Sequence, residues 1–227
     1  MTTEILHRDD LRRGGFAGLR EHRIVMDPGV FGPSSDSGAW RGLGKFVYLA
    51  DARFLPHGET RLHPHHEIDV ISVMVEGRIG HEGSLEHGQE LTAPDVQVQR
   101  AGGEGFQHNE VNPDDVENRM IQLWVLPETN GEPADYKLYR PTTGSMTRVY
   151  GGKNGQTETF AAATVIEVGM LTPGQVTTAE GQFLAYVTSG AGVANGIDVS
   201  DGDLVRGDGL HFEASRDAHI IVVRLNP

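Results

Sequence analysis

The sequence predicts an all-β protein built as two barrels in tandem, and three observations carry that expectation. Short Val/Ile-rich runs recur along the chain, separated by Gly, Asn, Asp and Pro, the residues that make tight turns. The 227 residues include 30 glycines and 11 prolines to supply those turns, and apolar stripes at helical spacing are hard to find. The order strand, proline turn, buried strand, glycine turn, loop and closing strand also runs twice. Its period is roughly a hundred residues, the size of one small domain. The length suffices to bury a real core in either one large β domain or two small ones.

Residues 1–23 are mostly polar. A helical turn could start at residues 7–13, but Gly14-Gly15 ends it, so the segment reads as an irregular lead-in. Residues 24–26 form a short strand, and residues 27–29 and 32–38 are turn and loop material. The first clear strand covers residues 45–50 and continues to 55. Pro56-His57-Gly58 then turns the chain into a histidine strand at residues 63–69, which leads into the apolar run 70–75. Glu76-Gly77 makes a turn, residues 78–81 follow, and a polar hairpin sits at 82–84. Residues 96–99 alternate as a strand should. The glycine-rich loop 101–105 delivers residues 105–112, and residues 120–126 close the first barrel. Residues 127–150 read as a crossover, which divides the chain into domains 1–130 and 131–227. Strands at 164–171 and 183–187, a hairpin turn at Asn195-Gly196, residues 202–205 and a closing strand at 219–225 complete the second barrel.

Composition narrows the function. Nineteen basic against 32 acidic residues give a net charge of −13, which argues against nucleic acid and anionic membrane surfaces as partners. The absence of cysteine excludes disulfides and thiolate chemistry. The opening residues show no basic and apolar leader, and no apolar run approaches a membrane span, so a cytoplasmic location is expected.

Strand periodicity also gathers a candidate site. Side chains alternate faces, so His63, His65, Glu67 and Asp69 would project one way, and His108 and Glu110 would share a face. Two imidazoles from one strand and an imidazole with a carboxylate from another would suit a divalent metal with positions left open to substrate. The plainer alternative is a set of ordinary polar residues at a barrel mouth. His57, His66, His81 and His87 read as solvent-exposed, in turns or on the opposite face. The run 102–105 is a turn rather than a phosphate loop, because neither a helix nor Lys-Ser/Thr follows it.

These residues also carry a resemblance. His63-Pro64-His65, Asp69, Val75-Glu76-Gly77, Ala101-Gly102, and Gly105-x-x-His108-x-Glu110 together resemble the pirin family of bicupins, most strongly over about residues 46–126. The resemblance implies two jelly-roll-like cupin barrels. It also implies one mononuclear metal, Fe(II) first with Mn, Co, Ni or Zn as alternatives, held by His63, His65, His108 and Glu110. Asp69 stands where the general cupin pattern has a ligand glutamate. It is one methylene shorter, so it is assigned to orienting an imidazole while Glu110 binds metal. Where pirins continue His-Pro-His with Arg-Gly-Phe-Glu, this chain has His66-Glu67-Ile68-Asp69, which leans toward the redox-sensitive bicupin branch.

In the second half His211-Phe212-Glu213 echoes His108-x-Glu110. Thr177, Ala179 and Gly181 stand where a His-x-His pair would be needed, so metal is expected in the first barrel only. Two functions follow from the resemblance. One is a metal-dependent dioxygenase of flavonols or related small aromatic substrates, with Glu110 doubling as general base. The other is a non-catalytic metalloprotein that binds a partner protein in response to the metal's redox state, as a transcriptional cofactor does.

Overall fold

The structure is a computed structural model, and it describes residues 2–32, 38–85, 88–153 and 156–226. Part of the expected loop at 32–38, and His87, lie outside the described residues. The chain divides into two compact units, Leu11–Arg140 and Met1–Asp10 with Pro141–Pro227. The boundary therefore falls at 140 rather than 130, and the first ten residues belong with the C-terminal half.

Long-range pairing explains both differences. The first strand, β1 (Glu4–His7), pairs antiparallel with residues 203–206 of the C-terminal unit, and a 3-10 turn (Arg8–Asp10) follows it. The N-terminal unit then holds β2 (Arg13–Phe16), β3 (Leu19–Met26), a single helical turn α1 (Pro28–Phe31), β4 (Phe46–Phe54), β5 (His63–His65) and β6 (Asp69–Glu76). It continues with β7 (Arg78–Gly83), β8 (Glu90–Thr92), β9 (Val96–Arg100), β10 (Phe106–Val111), β11 (Arg119–Val125) and β12 (Asp135–Tyr139). β12 lies in the expected crossover and pairs with β9, which ties it to this unit. The lead-in 1–23 is likewise strand, not irregular chain. β1 and β2 are edge or near-edge strands whose mostly exposed residues need no apolar alternation, so no local pattern announces them.

One sheet of this unit runs β12-β9-β6-β11-β4-β3-β2 and the other β5-β10-β7-β8. Their facing sides are layered. Leu19, Ala52, Phe54, Met74 and Met120 from the first sheet close on Ile79 and Leu91 from the second, forming an apolar plug. Two residues along β6, β7 and β11 the interior turns polar, with Ser72, His81 and Gln122, and Gln97 of β9 and Glu110 of β10 join them. Beyond that layer come Val70 and Phe106, packed with Trp124.

The C-terminal unit adds β13 (Ser145–Gly152), β14 (Ala162–Leu171), β15 (Val176–Ser189), β16 (Ala191–Ala194), β17 (Ile197–Ser200), β18 (Asp203–Ala214) and β19 (Ala218–Leu225). They form one sheet in the order β13-β14-β19-β15-β18-β16-β17, with β1 on β18. Asn195 and Gly196 both take positive φ, 50° and 83°, as the expected two-residue hairpin requires. The interior is apolar, with Phe183, Ala185, Val187, Phe212, Ile220 and Val222 in one cluster.

Candidate metal centre

The histidine stretch is not one strand. β5 is only three residues long and is bracketed by Arg61 and Glu67, both in the left-handed region with φ 65° and 50°. The turn at Glu67 breaks the alternation that would have set Glu67 and Asp69 beside the histidines. Glu67 Oε1 instead accepts the Gly131 N–H at 2.9 Å, and His66 Nε2 lies 3.1 Å from the Gly103 carbonyl, so both residues hold surrounding loops. Asp69 opens β6, buried, opposite Arg100. Only His63 and His65 from this stretch join the site.

Their partner is β10, where Phe106 stands across from His65 and His108 from His63. His108 Nε2 lies 3.1 Å from His65 Nε2 and 3.1 Å from His63 Nε2. Among the described residues these three histidines form the one group of His, Cys, Asp and Glu able to share a metal, with ligand atoms all within 4.8 Å of one another. His65 and His108 are buried, and His63 is half-buried.

At two corners of this triangle, His63 and His108, the ring protons point away from its centre. His63 Nδ1 is 2.8 Å from the Arg61 carbonyl, which can only accept, so Nδ1 carries the hydrogen and Nε2 a lone pair. His108 Nδ1 is 3.1 Å from Gln99 Oε1, which fixes the same tautomer there. The Gln99 amide in turn donates to His81 Nε2 at 3.0 Å, and that nitrogen lies 3.2 Å from His108 Nδ1. Two lone pairs thus face each other at 3.1 Å between His63 and His108, an arrangement that repels unless a cation lies between them. Metal–imidazole bonds of about 2.1 Å would reach both nitrogens across this 3.1 Å separation. The residues fit a divalent metal.

Burial supports the neutral imidazoles a metal needs. It pushes the His65 pKa down to about 4, with the charge of His63 adding to the effect. His108 is driven far lower, first by burial and then by His65, His63 and His81. Glu110 follows His108 on the same face of β10 but is not gathered with the three nitrogens. Ser72 Oγ donates to its Oε1 at 3.1 Å, and Gln122 Nε2 stands 3.4 Å from Oε2. Burial pushes its pKa up to about 7 against the lowering effect of those two contacts.

His81 was expected at the surface and is instead buried beneath His108. Its signal was present in the sequence, since it shares the parity of the apolar Ile79 on one strand. Gln99 escaped notice for a related reason. The alternating run 96–99 reads as valines in and glutamines out, whereas all four are buried and the glutamines line the polar interior. Around the triangle, the Phe106 ring centroid lies 5.1 Å from those of His65 and His108, and Trp124 lies 5.5 Å from His65 and stacks on Tyr48 at 4.6 Å. His57, expected to be exposed, pairs at the surface with Asp115.

Residues 42–125, which include all four proposed ligands, match the profile of the family described as Pirin. The quercetin 2,3-dioxygenase of Escherichia coli K12 is 32% identical over 79 residues, 34% of each chain. A pirin-like protein of Caulobacter vibrioides is 30% identical over 112 residues, 49% of this chain and 45% of its own. The chain thus matches less than half the length of these relatives. The crystal structure of bacterial pirin YhhW in complex with nickel(II), from Escherichia coli, superposes with a TM-score of 0.84 at 17% identity over 100% of both chains. A quercetin 2,3-dioxygenase from Acinetobacter baumannii superposes with 0.72 at 19% identity, over 99% of this chain and 86% of the other. At such identities the likeness is one of fold, a bicupin along the whole length.

Proposed function

We propose that this chain is a metal-dependent dioxygenase of the pirin kind acting on a small aromatic substrate of the flavonol class, a reading supported by the match of residues 42–125 to the Pirin profile. The observation that carries this reading is the convergence of three imidazole nitrogens, two of which, those of His63 and His108, have their ring protons held outward by Arg61 and Gln99. His63, His65 and His108 would hold the metal, Fe(II) first, with Glu110 as a fourth donor. A divalent metal with open positions supplies the Lewis acidity and electron exchange that let oxygen and a substrate oxygen react.

The chain's own groups do the rest. Gln99 and Arg61 keep His108 and His63 in the tautomer that presents Nε2 inward. Phe106 and Trp124 give an aromatic wall against which a planar ring can lie. Access is from the side of His63, the half-buried member, next to the exposed Leu62. Glu110 Oε2, held by Gln122, is the carboxylate oxygen available to take a hydroxyl proton from the substrate.

The test is to load the purified protein anaerobically with Fe(II), and in parallel with Mn, Co, Ni and Zn. Bound metal is then quantified, and oxygen uptake and loss of quercetin absorbance are followed. One metal per chain and joint loss of metal and turnover in His63→Ala and His108→Ala are expected. Turnover that survives the loss of metal sinks the proposal, as does the absence of turnover on every flavonol or catechol with any of the five metals.

A further inference from the structure

The aromatic wall of the histidine site continues away from it as a row of oxidisable rings. Trp124 stands edge-on to His65 with centroids 5.5 Å apart, and stacks on Tyr48 at 4.6 Å with an interplanar angle of 30°. Both separations lie within the ~4.5–7 Å of rings in direct contact. Trp124 and Tyr48 face each other across the ladder of β11 and β4. Phe31, at the end of α1, lies 5.6 Å from the Tyr48 ring and 5.9 Å from that of Trp124. Tyr48 is only 6% exposed, so the row ends in the interior.

The far end of the row carries a proton acceptor. Tyr48 Oη donates to Glu21 Oε2 at 3.1 Å, and Arg23 Nε donates to Glu21 Oε1 at 2.7 Å. Phenylalanine at position 48 would serve ring packing, and would spare the barrel the cost of burying the Glu21 carboxylate beside it. Burial first, and then the charge of Glu21, push the Tyr48 pKa up, so the phenol keeps its proton until it loses an electron. The near end is the opposite. Among the described residues, Trp124 Nε1 is buried without a hydrogen-bond partner. An indole that loses an electron there has no base beside it to take its proton, and stays a strongly oxidising radical cation. A phenol that loses an electron is a strong acid, and here a carboxylate is already within reach. An oxidising equivalent therefore runs one way, from Trp124 to Tyr48.

We propose that Trp124 and Tyr48 form a one-electron relay that draws an oxidising equivalent away from the histidines and holds it on Tyr48, with Glu21 as the proton acceptor. The need for such a relay rests on the oxygen chemistry proposed above, which exposes His63, His65 and His108 to oxygen-derived radicals. Such a radical, a hydroxyl radical in the limiting case, takes one electron from Trp124 and becomes hydroxide. One electron from Tyr48 restores Trp124, and the Oη–H proton of Tyr48 passes to Glu21 Oε2. The products are a neutral tyrosyl radical and a protonated Glu21 that donates a hydrogen bond back to it. The histidines keep their rings intact.

The test uses the full, metal-free chain carrying Trp40→Phe, which leaves Trp124 as its one tryptophan. Azide radicals made by pulse radiolysis oxidise the indole selectively, and transient absorbance follows the radicals. The indolyl signal should decay at a rate independent of protein concentration while a tyrosyl signal grows in its place. Tyr48→Phe should abolish that growth, and Glu21→Gln should slow it at least about tenfold. Amide NMR spectra verify that each variant is folded. A second readout loads the chain with Fe(II), adds hydrogen peroxide and maps oxidised histidine by mass spectrometry. Damage at His63, His65 and His108 should rise severalfold in Tyr48→Phe. The proposal falls if the indolyl radical decays without a tyrosyl radical, if Tyr48→Phe or Glu21→Gln keeps the parent kinetics, or if Tyr48→Phe leaves the histidine damage unchanged. A chain that binds no iron would sink the dioxygenase reading instead, and the radiolysis, done without metal, would still decide the relay.

Discussion

The two barrels pose the same backbone problem and fill it differently. In the N-terminal unit the paired strands β5 and β10 bring His63, His65 and His108 together, with Ser72, Gln97, Gln99 and Gln122 around them. In the C-terminal unit the matching ladder of β15 and β18 presents Thr177, Ala179, Leu210 and Phe212, and the interior below is apolar. The expected echo of His108-x-Glu110 in His211-Phe212-Glu213 is out of phase by one residue. Phe212 takes the inward position, while His211 and Glu213 are exposed. Because strand side chains alternate, a one-residue offset sends the polar pair to solvent and the ring to the core. One barrel has given up apolar packing in its middle layer for a site, and the other has kept it.

The sharpest test of that contrast is a pair of truncations. Phe212→Ala should cost about 3–5 kcal/mol of unfolding free energy, because it empties a fully buried ring position. It should leave metal binding by the other barrel unchanged. His108→Ala should behave in the opposite way. Metal affinity should fall by well over about a hundredfold, more than the loss usual for groups that merely support a ligand. The stability of the metal-free chain should change less than with Phe212→Ala, since a neutral imidazole crowded by two others is removed. Equal stability losses in denaturant unfolding would erase the distinction.

The next effect concerns Glu110, buried in the polar layer with its pKa pushed up to about 7. The unfolded chain ionises this carboxyl near 4.5 while the folded chain does not, so between those values the unfolded state binds fewer protons and stability falls as pH rises. Glu110→Gln should therefore stabilise the metal-free protein by up to about 3 kcal/mol at about pH 8 and by little at about pH 4. Unfolding midpoints at the two pH values test this, and a pH-independent difference contradicts it. No such gain is expected from Glu167→Gln in the other barrel, where the carboxylate is solvent-accessible and lies between two arginines.

What could be seen in the sequence was what the short-range pattern encodes. The strands at 45–55, 70–75, 120–126 and 219–225 carry predominantly apolar runs, and each lies within or largely within β4, β6, β11 or β19. His63, His65 and His108 stood out because imidazoles two apart on a strand have few other reasons to recur. What was hidden depends on long-range partners. β1 is identifiable only once β18 is in place beside it, and β12 only beside β9. Residues 63–69 appeared as one strand because the left-handed turn at Glu67 uses neither glycine nor asparagine. The support of His108 by Gln99 and His81 stayed invisible because glutamine on an alternating strand ordinarily marks the solvent face.

That support gives a third, smaller effect. Gln99 fixes the His108 tautomer from the far side of the ring, so Gln99→Ala should weaken metal binding by about 10–100-fold while the three ligands remain. Metal titration of the variant against a chromophoric chelator measures it. An unchanged affinity would mean that packing alone orients His108. The equivalent ladder in the C-terminal barrel, with no imidazole to orient, offers no counterpart.

The smallest effect is electrostatic and lies at the edge of the C-terminal barrel rather than in an interior. β1 is held to β18 by its ladder and by His7, whose Nδ1 is 2.6 Å from Asp203 Oδ1. The hydrogen bond to Asp203 raises the His7 pKa, with the coulombic pull of Asp203 and Asp10 reinforcing it against desolvation. For a cation with a raised folded value, the added stability is fully present below the unfolded pKa, near 6.5, and is lost as pH rises through the folded one. With His7 58% exposed the contribution should stay below about 1 kcal/mol. Hydrogen exchange of the β1 amides, corrected for intrinsic rates, should therefore show protection that declines as the pH rises above the ordinary histidine value near 6.5. In His7→Gln the same amides should show no such decline, and identical profiles in the two proteins would remove His7 from the account. Ionisation in the first barrel thus acts on a buried carboxyl that weakens the fold as pH rises through the acid range. In the second it acts on an exposed imidazole that holds an edge strand until the pH rises through that imidazole's raised pKa.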